Sequence, residues 1–285
     1  MRALDCEPGH TCLFFLRKAG PALHDKSGRT DGIILMDYDR SDIATTYDQA
    51  RALTPARHQR WQRLLSAHVD QSAISLVVDL GCGTGRFSEM LAAELGAWVM
   101  GFDRSEKMIE QARRKPVAVP VAFAPASAHA LPLADGCVDL VFISQVYHHL
   151  PAPAAVAHEC WRVLRGGGYV CVRTGTRGNN VVAPRFFPAV RAMLDADLPS
   201  SDEIKANFVA SGFAPIHYEI ITEVVASDWH TFAQKSALRA DSFLARLSDM
   251  EFDQGMVALR AHLANFTADE AVTEEIDWFV FTKIS

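Results

Sequence analysis

Hydrophobic and polar positions along this chain follow two alternating rhythms. Thr54-Pro55 reads as an N-cap with proline at the first helical position, and Trp61, Leu64, Leu65 and Val69 then recur at helical spacing. The pattern predicts an amphipathic helix of about four turns. Ser75 to Leu80 follows as a short apolar run that stops at glycine, as a buried parallel strand does. Alternation then continues: a helix over Arg86 to Leu95, a strand Trp98 to Phe102, and a helix from Glu106 to Arg114 that Ser105 is placed to cap. Strands near Val119 to Ala124 and Val138 to Ser144 come next, then a helix Ala154 to Leu164 and a strand Tyr169 to Arg173. Repeated βα units build an open parallel sheet covered on both faces by helices.

Beyond residue 175 the rhythm changes. A proline-bounded stretch covers Pro184 to Asp197, and the box from Ser200 to Glu203 opens another helix. A strand His217 to Val225, a mostly helical insertion 228–265 and an alternating strand Glu275 to Thr282 complete the chain. The expected organisation is therefore a leader over residues 1–35 without periodicity and one α/β domain over 36–285. That domain divides into N-terminal helices 36–72, a doubly wound core 73–175, and a region 176–285 whose last strands close the sheet with an antiparallel edge.

Composition narrows the function. Apolar residues make up 49% and charged residues 22% of the 285, which is enough to bury a sizeable core. A net charge of −6 argues against a nucleic-acid surface, and no apolar run is long enough to span a bilayer. Six scattered cysteines without zinc-type pairs read as reduced thiols in a cytosolic setting. Cys6, His10 and Cys12 form a loose cluster without a distal ligand pair, and no metal is expected there.

The chemistry concentrates in Val77 to Phe87, VVDLGCGTGRF: a strand that ends in an acid and runs into glycines at 81, 83 and 85. Glycines let the chain turn tightly and let a ligand approach the backbone. Their spacing departs from the dinucleotide fingerprint, whose third glycine comes one residue later. Asp103 ends the next strand 24 positions after Asp79, where a carboxylate can accept both hydroxyls of a ribose. Together with GFDRSEKMIEQAR, ALPLADGCVDLVFISQVYHHL and RVLRGGGYVCV, these motifs make residues 40–285 resemble the class I S-adenosylmethionine-dependent methyltransferases.

The resemblance implies a Rossmann-like, seven-stranded, mostly parallel sheet with an antiparallel last strand and a helical insertion. It implies S-adenosylmethionine as cofactor and a small-molecule acceptor. By it, Asp79, Gly81, Cys82 and Gly83 face the methionine end, Asp103 the ribose, and Arg104 and Met108 the adenine surroundings. Ser127 and Ala128 stand where relatives often carry an aspartate-containing pair, which removes the usual carboxylate contact to the adenine amine. Ser144 and Gln145 lie beside the transferred methyl. His149, and less strongly His148, are candidate bases because they leave strand four at the crevice and titrate near neutrality. The segment Tyr47-Asp48-x-x-Arg51 looks like one that folds over the cofactor in many relatives, and Tyr47 could then orient a histidine; a surface helix with an ion pair is the plainer reading. Trp229, His230, Phe232, Lys235, Arg239 and Phe243 sit where the family builds its acceptor pocket, although Phe232, Leu238, Phe243 and Leu247 also fit ordinary helix core. An RNA or protein acceptor, or a cofactor-binding module without catalysis, remains as the alternative.

Overall fold

In the computed structural model, residues 29–30, 33–34, 55–116, 118–264 and 270–284 are described, the first two pairs only as a short antiparallel ladder. Strands β1 (Leu76–Leu80), β2 (Trp98–Asp103), β3 (Val121–Pro125), β4 (Val138–Ser144), β5 (Leu164–Thr174), β6 (Phe213–Ala226) and β7 (Val272–Lys283) form one sheet in the order β3-β2-β1-β4-β5-β7-β6. The first five run parallel, and β7 is antiparallel to both of its neighbours. Chain order reverses between β1 and β4, so the crevice outside their carboxyl ends is where an open sheet of this kind takes a ligand.

Side chains alternate between the two faces, as strand geometry requires. Val78, Leu80, Val141, Ile143, Val170 and Phe279 pack on one side with α4 (Pro153–Val163) and α6 (Ser201–Ala210). Val77, Val99, Leu140, Phe142, Cys171 and Trp278 pack on the other with α1 (Pro55–His68) and α2 (Arg86–Leu95). Each large apolar side chain buried in this way contributes about 1.5 to 3 kcal/mol. Helix α3 (Glu106–Arg114) starts where expected, with the Ser105 hydroxyl accepting the Met108 N–H. A third apolar cluster joins α5 (Ala189–Asp197), α7 (Trp229–Ala237) and α8 (Asp249–Ala264) through Phe187, Val190, Trp229, Phe243, Leu247 and Leu259.

The closing strands are longer than the sequence pattern suggested. Strand β6 starts at Phe213, because Pro215 is absorbed at a register shift between Pro215 and His217 on what is an edge strand. Strand β5 takes over directly at Leu164, and its pairing with β4 shifts register between Val138 and Leu140. Among the described residues no helix is long and apolar enough to cross a membrane.

Candidate active site

The glycine turn connects β1 to α2 and is held to the neighbouring strand, with the Gly81 and Cys82 N–H groups both donating to the Phe102 carbonyl at 2.7 and 3.0 Å. All three glycines have positive φ, at 71°, 54° and 78°. Their surroundings separate their roles. A Cβ on Gly81 would lie 2.6 Å from Val146, and one on Gly85 would lie 2.5 Å from the Phe123 ring. A Cβ on Gly83 would meet nothing within 4 Å. Gly81 and Gly85 thus permit close packing within the protein, while Gly83 presents bare backbone to open space.

Two carboxylates flank this turn. Asp79 is buried, accepts the Ser88 hydroxyl at 2.6 Å, and is pushed up to about 7 by desolvation, with the charge of Asp103 adding to the effect. Asp103 is half-buried; one oxygen accepts the Gly83 N–H at 2.9 Å and the other the Ser105 N–H at 2.9 Å. An acid held on the open glycine in this way meets the requirement of a ribose-binding carboxylate. The bare Gly83 backbone and the two acids fit a ligand that carries vicinal hydroxyls and a cationic end, as S-adenosylmethionine does.

The remaining expected residues separate into wall, floor and periphery. Met108 is buried in the first turn of α3, whereas Arg104 is exposed. Ser127 is exposed and its hydroxyl accepts the His129 N–H, with Ala128 packed on the core beside it. Cys82 is half-buried beside both acids, and burial pushes its thiol up, so it is a wall and not a nucleophile. At the end of β4, Gln145 has φ 54°, a left-handed conformation that side chains resist and that concentrates at ligand sites. Its side-chain oxygen accepts the Gly175 N–H at 3.3 Å.

His148 and His149 close a short turn, Tyr147–His149, with ring centroids 4.0 Å apart. The helical insertion covers them: the Phe243 ring stacks 6.0 Å from His148, and Asp241 and Arg246 act on His149. Desolvation pulls His149 down to about 4, so the ring is neutral at physiological pH. Tyr47, Asp48 and Arg51 lie outside the described residues. The cations of the expected acceptor region serve the scaffold: Lys235 donates to the Val225 carbonyl, and Arg239 to the Leu244 carbonyl and Asp249. Trp229, Phe243 and Leu247 belong to the third apolar cluster, with Phe232 and Leu263 packed against it, while His230 is exposed.

A buried network beneath Ser144 went unnoticed in the sequence. Arg173 donates to the Ser144 hydroxyl and pairs with Glu223, which also takes Arg57 and the Trp61 indole N–H. The Arg173 guanidinium lies 4.8 Å over Trp61. Its desolvation lowers it to about 10, and the two arginines hold Glu223 near 2. An arginine inside the apolar strand YVCVRT was the available signal.

Residues 78–172 match the family model described as a methyltransferase domain. The chain is 30% identical over 212 residues to the demethylmenaquinone methyltransferase of Thermus thermophilus, an alignment spanning 66% of this chain and 96% of that one. It is 28% identical over 200 residues to the ubiquinone/menaquinone biosynthesis C-methyltransferase of Desulfotalea psychrophila, across 62% and 81% of the two chains. Among solved structures, a protein of Anabaena variabilis named as a methyltransferase from an antibiotic biosynthesis pathway shares the fold, with a TM-score of 0.64 and 21% identity over 83% of this chain and all of that one. With the glycine turn, its two acids and the sheet order already in place, these likenesses establish that the chain belongs to the class I S-adenosylmethionine-dependent methyltransferases.

Proposed function

We propose that this enzyme methylates an uncharged, ring-bearing small molecule of the quinol type, in the cytosol, with the region 176–285 forming the acceptor side of the site. The observation carrying this reading is the cover over His148 and His149. It is built from Phe243 and the apolar cluster of α5, α7 and α8, and its nearby arginine and lysine side chains are committed to carbonyls and acids of the protein. Such a cover favours flat apolar rings over phosphates or carboxylates. The names of the two relatives, which concern quinone precursors, support the same acceptor class.

S-adenosylmethionine, when bound, supplies an electrophilic methyl on a good leaving group. The protein's own contribution is alignment and exclusion of water, which together supply about 7 to 11 kcal/mol of such a barrier. Asp79 faces the cationic amino end, Asp103 the ribose, Gly83 the passing backbone, and Met108 and Ala128 the adenine. Ser144, held by Arg173, and Gln145 fix the edge of β4 beside the reacting centre. His149 is neutral and accepts a hydrogen bond from an acceptor hydroxyl, orienting it and taking its proton as the bond to the methyl forms. A radiolabel-transfer assay against naphthoquinol, hydroquinone, phosphoethanolamine and an acidic amino acid tests this. Transfer confined to the quinols supports the reading, and transfer only to the charged acceptors overturns it.

A further inference from the structure

A second cluster of ligand-bearing side chains lies away from the crevice. His68, the last residue of α1, meets His217 and Glu219 of β6, and the candidate ligand atoms of all three lie within 4.8 Å of one another. The two imidazoles are stacked at 3.7 Å with an interplanar angle of 16°, and the His217 Nε2 lies 3.1 Å from a Glu219 oxygen. We propose that these three residues bind a divalent transition ion of the zinc class, clamping the end of α1 to the edge strand.

Four features converge on this site. Two imidazole nitrogens and a carboxylate oxygen suit zinc and its neighbours, whereas calcium and magnesium take oxygen ligands. Zinc bonds of about 2.0 to 2.2 Å place neighbouring ligand atoms about 3.4 Å apart in a tetrahedron, and turning the two rings out of their stack, so that one nitrogen of each points at a shared ion, completes the set. The supporting backbone is fixed: His217 and Glu219 are two positions apart on one face of a strand, opposite Val280 and Trp278 of β7. Trp61 and Leu65 of α1 are fully buried and hold the helix that carries His68. The carbonyl end of that helix also favours a cation.

A surface ion pair would explain His217 beside Glu219, but not a second imidazole laid flat on the first. All three side chains are half-buried, which leaves a coordination position for solvent. On β6 the site is four to six positions from Glu223, about 13 to 20 Å along the strand. Metal binding and cofactor binding are therefore separable. The cysteine and histidine cluster of the leader does not enter, since Cys6, His10 and Cys12 lie outside the described residues.

The test is titration of chelator-stripped full chain with Zn2+ against a chromophoric competitor, and with Co2+ by visible absorption. One ion per chain is expected. Its affinity should fall by about tenfold or more, the scale for losing even a supporting partner, in His217→Ala and in His68→Ala. The Glu219→Gln variant, altered at a half-exposed side chain, should show a changed Co2+ spectrum. S-adenosylhomocysteine binding should be unchanged in all three, which also establishes that they fold. Failure of wild type to bind either ion overturns the proposal. So does undiminished binding in folded variants, which would place the metal elsewhere, for instance on Cys6, His10 and Cys12. Should both alanine variants fail to fold, an unaltered Co2+ spectrum in Glu219→Gln overturns it, and a changed one supports it.

Discussion

Asp79→Asn should make the protein more stable and a poorer enzyme, and the stability gain should depend on pH. Burial holds the Asp79 ionisation at about 7 against an ordinary 3.8. Below 3.8 the carboxyl is protonated in both folded and unfolded chains and costs nothing. Between 3.8 and 7 the unfolded chain ionises while the folded one resists, so stability is lost as pH rises; above about 7 the loss is complete. At about 1.4 kcal/mol per tenfold change, the full penalty is about 4 kcal/mol. Asparagine keeps the shape and can still accept the Ser88 hydroxyl, but carries no charge. Urea unfolding of both proteins without cofactor should show the variant's advantage about 2 to 3 kcal/mol larger at pH 8 than at pH 5. The same variant should bind S-adenosylmethionine more weakly, because a cationic end no longer meets an acid. An advantage that is absent, or equal at the two pH values, would refute the reasoning that Asp79 is a strained acid kept for its ligand.

Gly83→Ala should cost about 1 to 2 kcal/mol from its φ of 54°, lower Tm by a few degrees, and nearly abolish cofactor binding in a folded protein. Gly85→Ala should instead fail mainly in stability, because the Phe123 ring lies 2.5 Å from the new Cβ; thermal melts with and without S-adenosylhomocysteine separate the two. Glu223→Gln should destabilise by about 3 to 5 kcal/mol by leaving Arg173 and Arg57 uncompensated. In the wild type the Glu223 contribution is present above its ordinary 4.5 and lost as pH falls toward 2, so the variant's deficit should shrink in acid. His149→Ala should lower kcat by about 100-fold or more with little effect on cofactor affinity. The wild-type kcat should stay flat from pH 6 to 8, falling only as His149 protonates near 4; a loss near 6.5 would remove His149 from that role.

The parallel half of the fold was legible because its signals are local. Buried strands such as LVVDL are apolar except for an acid near the carboxyl end, and a glycine, an acid or a cap marks the boundary. The glycine turn and the two acids that flank it were legible for the same reason, since Asp79, Gly81, Gly83 and Asp103 lie on consecutive elements of one βαβ unit. The closing strands were read short because a proline inside β6 looks like a stop, and only its edge position makes it harmless. What covers the histidines was hidden by distance. Phe243 comes 95 positions after His148, and the Arg57, Trp61, Arg173 and Glu223 network draws on three separate elements. Spacing along a chain does not encode which charges meet across a sheet. The cations of the insertion invited an electrostatic role, but their geometry spends them on carbonyls.

Calorimetric titration of S-adenosylmethionine and S-adenosylhomocysteine into the full chain, with Asp103→Ala beside it, tests the site most directly. Micromolar binding to wild type is expected, weakened about 10- to 150-fold by loss of charge-assisted hydrogen bonds to the ribose. Absence of binding to wild type, or equal binding by the variant, would contradict the placement of the cofactor on the Gly83 turn and Asp103.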